Sequence, residues 1–293
     1  MNTPRFGQNA RHDLGLQYDL RTLMNRRTAL RLFGGTALFT LVGCSSDDDP
    51  AATPTAGATT PSTSGSGSIA TQVAPIPTTA STPITACTQI PGETAGPFPG
   101  NGSNGPNVLT QSGIVRSDIR QSLGISTNTA TGVPLVTTLT LVDTKNACKP
   151  LANAAVYIWQ CDQKGGYSLY SPGVTNENYL RGVQVADANG VVSFTSVFPA
   201  AYPGRWPHIH FEVYNDLASA TSSRNKRATS QLALPEDACT TVFATSGYEQ
   251  SRATMRQLTL ASDGVFRDGW DLQMAKVDGS VANGVRASLI VGL

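Results

Sequence analysis

The stretch Tyr202-Pro203-Gly204-Arg205-Trp206-Pro207-His208-Ile209-His210-Phe211-Glu212-Val213 is the informative centre of the chain. From His208 onward its apolar residues alternate with period two. That pattern predicts a β-strand with His208, His210 and Glu212 on one face and Ile209, Phe211 and Val213 on the other. The whole chain holds three histidines, and two of them stand here. Imidazoles at i and i+2 of a strand aim two nitrogens at one point, and histidine is the commonest metal ligand near neutral pH. The bland alternative is a half-buried strand with a polar face. Pro203 and Pro207 disfavour ladder pairing, so residues 202–207 are expected as a loop that carries Tyr202 and Arg205 over the same face.

The alternation recurs on both sides of this stretch. Residues 135–142, 154–161, 191–198, 228–234, 255–260, 270–275 and 285–291 also read as strands. Turn signals stand between them, at Asp187-Ala188-Asn189-Gly190, Asp263-Gly264, Asp278-Gly279 and Asn283-Gly284. No segment carries a long helical period. The expected fold class is all-β: a two-sheet β-sandwich of about eight strands over residues 87–293, behind a disordered N-terminal tether.

Residues 1–44 read as a signal region. Arg26-Arg27 precedes an apolar run, Leu32 to Val42, in the manner of a twin-arginine export signal. The run is too short and glycine-rich for a membrane span, which needs about 20 apolar residues. Leu41-Val42-Gly43-Cys44 looks like a bacterial lipobox, which predicts a lipid on Cys44 and a domain anchored at the cell envelope, facing outside the cytoplasm. Met24, directly before the arginine pair, is a second candidate start. Residues 45–86 are almost wholly Ala, Thr, Ser, Pro and Gly and cannot bury enough apolar surface to offset ordering entropy. A formal net charge of +1 gives no argument for a nucleic-acid partner. Cys87, Cys148, Cys161 and Cys239 remain in the exported domain; an even number there favours two disulfides, with three pairings open. Cys148 and Cys161 fall at opposite ends of a predicted strand, too far apart to bridge.

A second tyrosine-bearing segment precedes the central one. After the predicted strand ending at Cys161 comes Gly165-Gly166-Tyr167-Ser168, which throws Tyr167 beyond the strand end. With Pro199-Ala200-Ala201-Tyr202 and Arg205-Trp206-Pro207-His208-Ile209-His210, in that order, the chain resembles the intradiol ring-cleavage dioxygenases. Gly92-Glu93-Thr94-Ala95-Gly96-Pro97-Phe98 is similar to that family's Thr-x-Gly-Pro-aromatic segment, and Ser230-Gln231-Leu232 to its Thr-Gln-aromatic/Leu strand. The resemblance runs from about Cys87 to Gln231.

It implies a non-haem Fe(III) centre held by Tyr167, Tyr202, His208 and His210, with Tyr202 the ligand that substrate displaces. Phenolates and neutral imidazoles are donors that suit a trivalent iron. Coordination would ionise phenols whose ordinary pKa lies near 10. The implied reaction inserts both atoms of O2 into a catechol-type diol and yields a muconate-type diacid. Arg205, always cationic and planar, is the candidate for charge stabilisation at the ring, and Gln231 a candidate for positioning substrate oxygen. Asp162 is expected to cap a strand end, and Tyr157, Tyr170 and Tyr179 to pack. The N-terminal helical segment of the soluble catechol enzymes has no counterpart after Cys87, so a monomer or weak homodimer is expected. A non-catalytic exported β-sandwich that binds a metal or ligand is the competing reading.

Overall fold

The computed structural model describes residues 84, 86–124 and 126–293. The twin-arginine motif, the lipobox cysteine and nearly all of the tether lie outside the described residues. No helix among the described residues is long and apolar enough to cross a membrane.

Among the described residues nine strands make two sheets, as the alternation leads one to expect. One sheet is built around β1 (Pro134–Asp143). Along one edge β1 pairs antiparallel with β5 (Val191–Val197) and, at its end, with the two-residue β2 (Lys149–Pro150). Along the other edge it pairs parallel with β9 (Gly284–Gly292), which carries β8 (Lys276–Ser280) outside it. The second sheet has four antiparallel strands, in the order β4 (Arg181–Val185), β3 (Ala155–Trp159), β6 (His208–Tyr214), β7 (Lys226–Ala233).

The core lies between the sheets. Leu135, Leu139 and Leu141 of β1, Phe194 of β5 and Leu289 and Val291 of β9 face Val156 and Ile158 of β3 and Ile209, Phe211 and Val213 of β6. β6 is buried along all seven residues, so its second face is also covered. That face presents His208, His210 and Glu212. Beside them β3 presents Tyr157 and Trp159, paired in register with Glu212 and His210. β7 presents Ala233, Gln231 and Thr229 against His208, His210 and Glu212. Loops therefore close over the outer face of the four-stranded sheet, and the tyrosines, histidines, Arg205 and Gln231 are gathered there.

Several expectations need correction. Residues 255–260 and 270–275 are not strands. Met255 instead ends a helix, α2 (Glu249–Met255), which follows α1 (Glu236–Phe243). The apparent alternation in 255–260 comes from turns whose Met255, Leu258 and Leu260 pack against a small core of Trp206, Ala233, Val265 and Phe266. In 270–275 the Trp270 carbonyl accepts from Gln273 and Met274, which bends the chain, and Met274 makes a single bridge to Ala233. α1 buries Cys239, Val242 and Phe243 at helical spacing, a stripe too short to stand out in sequence. Two disulfides were expected, and the described residues hold one, Cys87–Cys148; Cys161 and Cys239 are free and buried. Cys161 is held at the end of β3 and, as expected, does not reach Cys148.

Candidate metal centre

Each functional side chain is delivered by a separately anchored piece of backbone. His208 and His210 come from β6, where the pleat puts both on the outer face. Tyr167 comes from the turn after β3. Asp162 organises that turn: its Oδ1 accepts from the backbone N–H of Lys164 at 2.8 Å and Gly166 at 2.9 Å. Its Oδ2 accepts from the Tyr179 hydroxyl at 3.0 Å. Asp162 thus caps the end of β3 as expected. Gly165, at φ +85°, takes the left-handed conformation the turn requires. Tyr202 comes from the 199–207 loop, which is pinned where Ala201 N–H donates to Ser251 Oγ of α2 at 3.2 Å. A tight turn from Tyr202 to Arg205 follows, with Arg205 N–H donating to the Tyr202 carbonyl at 3.0 Å.

The four tips converge. Tyr167 Oη lies 3.2 Å from Tyr202 Oη, 3.3 Å from His208 Nε2 and 3.4 Å from His210 Nε2. His208 Nε2 lies 3.2 Å from Tyr202 Oη and 3.1 Å from His210 Nε2. These are five of the six edges of a small four-cornered cluster, and a point among the corners stands about 2 Å from each, the usual length of a transition-metal bond to N or O. Among the described residues no group of three or more His, Cys, Asp or Glu is placed to hold a metal ion. The quartet reaches four donors only through its two phenols.

Electrostatics suit a cation. Burial, and then the positive charge of Arg205, push His208 down to about 3; burial, His208 and Arg205 push His210 well below its ordinary value. Both imidazoles are therefore neutral, with lone pairs to offer. His208 Nδ1 donates to the Trp206 carbonyl at 2.5 Å, and since a carbonyl only accepts, the proton sits on Nδ1 and Nε2 is free. Burial raises Tyr202 to about 12 and pushes Tyr167 well above its ordinary value, so both phenols keep their protons unless a positive charge sits among them. Two neutral nitrogens and two phenols that ionise only beside a strong cation fit Fe(III).

Arg205 stands next to this quartet, its side chain 17% exposed. Its Nε donates to Asp263 Oδ2 at 3.0 Å and its Nη2 to Gln231 Oε1 at 2.6 Å. Gln231 also donates from Nε2 to the Thr94 carbonyl at 2.9 Å. Both ends of its amide are thus committed within the protein, which makes Gln231 a brace between Arg205 and the 92–98 segment. Gly96 of that segment covers His210, and Phe98 lies against Tyr167 with ring centroids 5.2 Å apart.

Two buried residues of the site were not foreseen. Arg181, fully buried, donates to the carbonyls of Phe98, Pro99 and Ser168, to Ser168 Oγ and to Tyr157 Oη. It ties the segment over His210 to the turn that carries Tyr167. Tyr170 joins the same tie, accepting from Gly100 N–H at 2.9 Å and donating to the Asn104 carbonyl at 2.8 Å. Asp263, also fully buried, holds Arg205 and was legible only as a turn residue. A lone arginine opening a short strand, and an aspartate before a glycine, carry no local mark of these roles.

The family model described as "Dioxygenase" matches residues 104–257, which include the quartet, Arg205 and Gln231. An intradiol ring-cleavage dioxygenase from Tetranychus urticae is 28% identical, with a TM-score of 0.55 over 70% of this chain and 94% of that one. The dioxygenase domain of a carbohydrate-binding fusion protein from Streptomyces sp. SirexAA-E superposes with a TM-score of 0.45 at 21% identity, over 70% of this chain and 98% of that one. Catechol 1,2-dioxygenase from Pseudomonas sp. (strain EST1001) is 43% identical over 56 residues, 19% of this chain; the chain spans only 18% of the length of that curated relative. With more than half of its residues inside the family model and an intradiol enzyme of the same fold among its neighbours, the chain belongs to the intradiol ring-cleavage dioxygenase family.

Proposed function

We propose that the protein is a non-haem Fe(III) oxidoreductase that cleaves a catechol-type diol between its two hydroxyl-bearing carbons. Both atoms of O2 enter, and the product is a muconate-type diacid. All atoms of diol and O2 are kept in the product, so no separate reductant is required. The observation that carries this reading is the convergence of two phenol oxygens and two imidazole nitrogens, five of whose six mutual distances lie between 3.1 and 3.4 Å.

Tyr167, Tyr202, His208 and His210 would hold the iron. Bound there, Fe(III) supplies the Lewis acidity that ionises the phenols and the diol and makes the ring reactive towards O2. Tyr167 and the two histidines are buried, the histidines on β6 and Tyr167 on the turn that Asp162 organises, so they are the fixed donors. Tyr202 is half-buried on a loop with a glycine two residues on, and it is the donor able to give way. Unligated, its phenolate oxygen would accept one hydroxyl proton of the diol, the second passing to solvent. Arg205 stabilises negative charge on the diol oxygens, and Gln231 keeps its guanidinium in place. Phe98, which lies against Tyr167, helps to exclude water from the reacting ring.

The setting proposed is the bacterial cell envelope, outside the cytoplasm, with the domain tethered through a lipid on Cys44. Arg26-Arg27 and Leu41–Cys44 support it, and the Cys87–Cys148 disulfide suits an oxidising compartment.

The test is a visible spectrum of the iron-loaded protein, before and after anaerobic addition of catechol, followed by O2 uptake. A tyrosinate-to-iron band that moves to longer wavelength, together with ring opening, is expected. A protein that stays colourless with iron would leave His208 and His210 as a binding face and overturn the enzyme reading.

A further inference from the structure

Asp263 lies outside the segment matched by the family model and follows the short 3-10 turn at Leu260–Ser262. Its carboxylate is fully buried and uses both oxygens. Oδ1 accepts from the N–H of Val265 at 2.7 Å and of Phe266 at 3.1 Å. Oδ2 accepts from Arg205 Nε at 3.0 Å and from the Trp206 N–H at 2.6 Å. The last two donors belong to consecutive residues of the loop that leads into β6.

Trp206 is held at three points. Its N–H is fixed by Asp263, its indole Nε1–H donates to the Leu234 carbonyl at 2.7 Å, and its own carbonyl accepts from His208 Nδ1 at 2.5 Å. The direction of that carbonyl sets the imidazole tautomer, and Asp263 helps to set the direction of the carbonyl. The same oxygen also fixes the Arg205 guanidinium through a charge-assisted bond.

We propose that Asp263 is the positioning residue of this centre: one buried carboxylate aims Arg205 and, through Trp206, holds His208 as the Nδ1–H tautomer with Nε2 free for a metal. The catalytic half of this inference rests on the dioxygenase reading above; the tautomer half stands on the hydrogen bonds alone. A carboxylate is needed because four N–H donors meet it. A carboxamide has one acceptor oxygen, so its NH2 would face either the Arg205 and Trp206 donors or those of Val265 and Phe266.

The test compares the full wild-type chain with Asp263→Asn. Glu177→Gln serves as a control, since Glu177 is another buried carboxylate that accepts three side-chain hydrogen bonds, from Ser122, Ser126 and Asn128. The first readout is the imidazole 15N signature of His208 in metal-free protein. Wild type and Glu177→Gln are expected to show the Nδ1–H form, and Asp263→Asn a mixture of tautomers. The second readout is O2 uptake by iron-loaded protein with catechol. Asp263→Asn is expected to lose about 100-fold in kcat, with KM within about threefold and the tyrosinate band retained. Wild-type tautomer and kcat in Asp263→Asn would overturn the proposal. If Asp263→Asn does not fold, wild type decides: an Nε2–H His208, or a Trp206 amide that exchanges freely with solvent, overturns it, and an Nδ1–H His208 with a protected Trp206 amide supports it. A wild type that takes up no O2 sinks the dioxygenase reading, and the tautomer readout still decides the part played by Asp263.

Discussion

The indole of Trp159 lies flat against the imidazole of His210, with ring centroids 4.9 Å apart and planes 5° from parallel. The two are register partners on β3 and β6. This stack orients the His210 ring, whose Nδ1 is buried with no hydrogen-bond partner among the described residues. Trp159→Phe keeps a ring in place and is expected to cost little iron affinity. Trp159→Ala should destabilise the fold by about 3–5 kcal/mol through the cavity it leaves. It should also weaken iron binding by more than about tenfold, since a free ring must be ordered on binding. Denaturant unfolding and an iron titration followed at the tyrosinate band measure the two effects separately. Iron affinity unchanged in Trp159→Ala would show that the stack is packing alone.

Gly96 covers His210 from the loop above. Its φ of +67° is a left-handed conformation, and a Cβ there would stand 3.4 Å from His210 Cε1. The contact itself is tolerable, so backbone strain decides the outcome. Gly96→Ala is expected to cost about 1 kcal/mol or more, which in a domain of this size lowers Tm by about 2–4 °C per kcal/mol. The iron band of the resting protein should survive, while the shift on adding catechol should change. Calorimetry and the anaerobic spectrum check both parts.

How much of this was legible in the sequence follows from how local each signal is. Residues 208–214 alternate cleanly with buried partners on both faces, so the strand and both of its faces could be read directly. Tyr167 and Tyr202 were placed by motif and order; the turns that bring their oxygens to 3.2 Å depend on Asp162, legible only as a strand cap, and on Ser251, which no local pattern announces. β4 was missed because Arg181-Gly182 opens it with a charge and a glycine. β8 was missed because its Asp278-Gly279 reads as a turn. Residues 255–260 imitate a strand because a helix end and two turns expose and bury residues in nearly alternating order. Asp263 could not be found at all: its partners Arg205 and Trp206 lie 58 and 57 residues away.

The Cys87–Cys148 bond closes a loop with a sequence separation of 61 residues and ties the start of the domain to the turn after β1. Chain-entropy arguments give such a loop about 4 kcal/mol of stabilisation through the unfolded state. Cys148→Ser should lower unfolding stability by about that amount, and treatment with a reductant should lower the wild type to the same level. Cys161 and Cys239 are buried thiols whose pKa burial pushes up, so reductant should produce no further loss in Cys148→Ser. Paired denaturant curves with and without reductant measure it. Equal stability in all four samples would mean that the bond adds no constraint.

Glu93 gives the domain a pH dependence opposite in sign to that of most carboxylates. Burial, and next the negative charge of Asp268, raise it from 4.5 to about 7, against a smaller opposing effect of the bond that Gln273 Nε2 donates to its Oε1 at 3.3 Å. Between pH 4.5 and about 7 the folded protein therefore keeps a proton that the unfolded chain has lost. Folding takes up that proton, so this contribution is fully present below pH 4.5 and disappears as pH rises through about 7. Glu93→Gln removes it. The stability of wild type minus that of Glu93→Gln should be flat below pH 4.5, fall as pH rises to about 7, and be flat again above. Urea unfolding at half-unit pH steps gives the curve. A difference that rises with pH in this window would mean that Arg205 and Gln273, not burial and Asp268, govern the carboxyl.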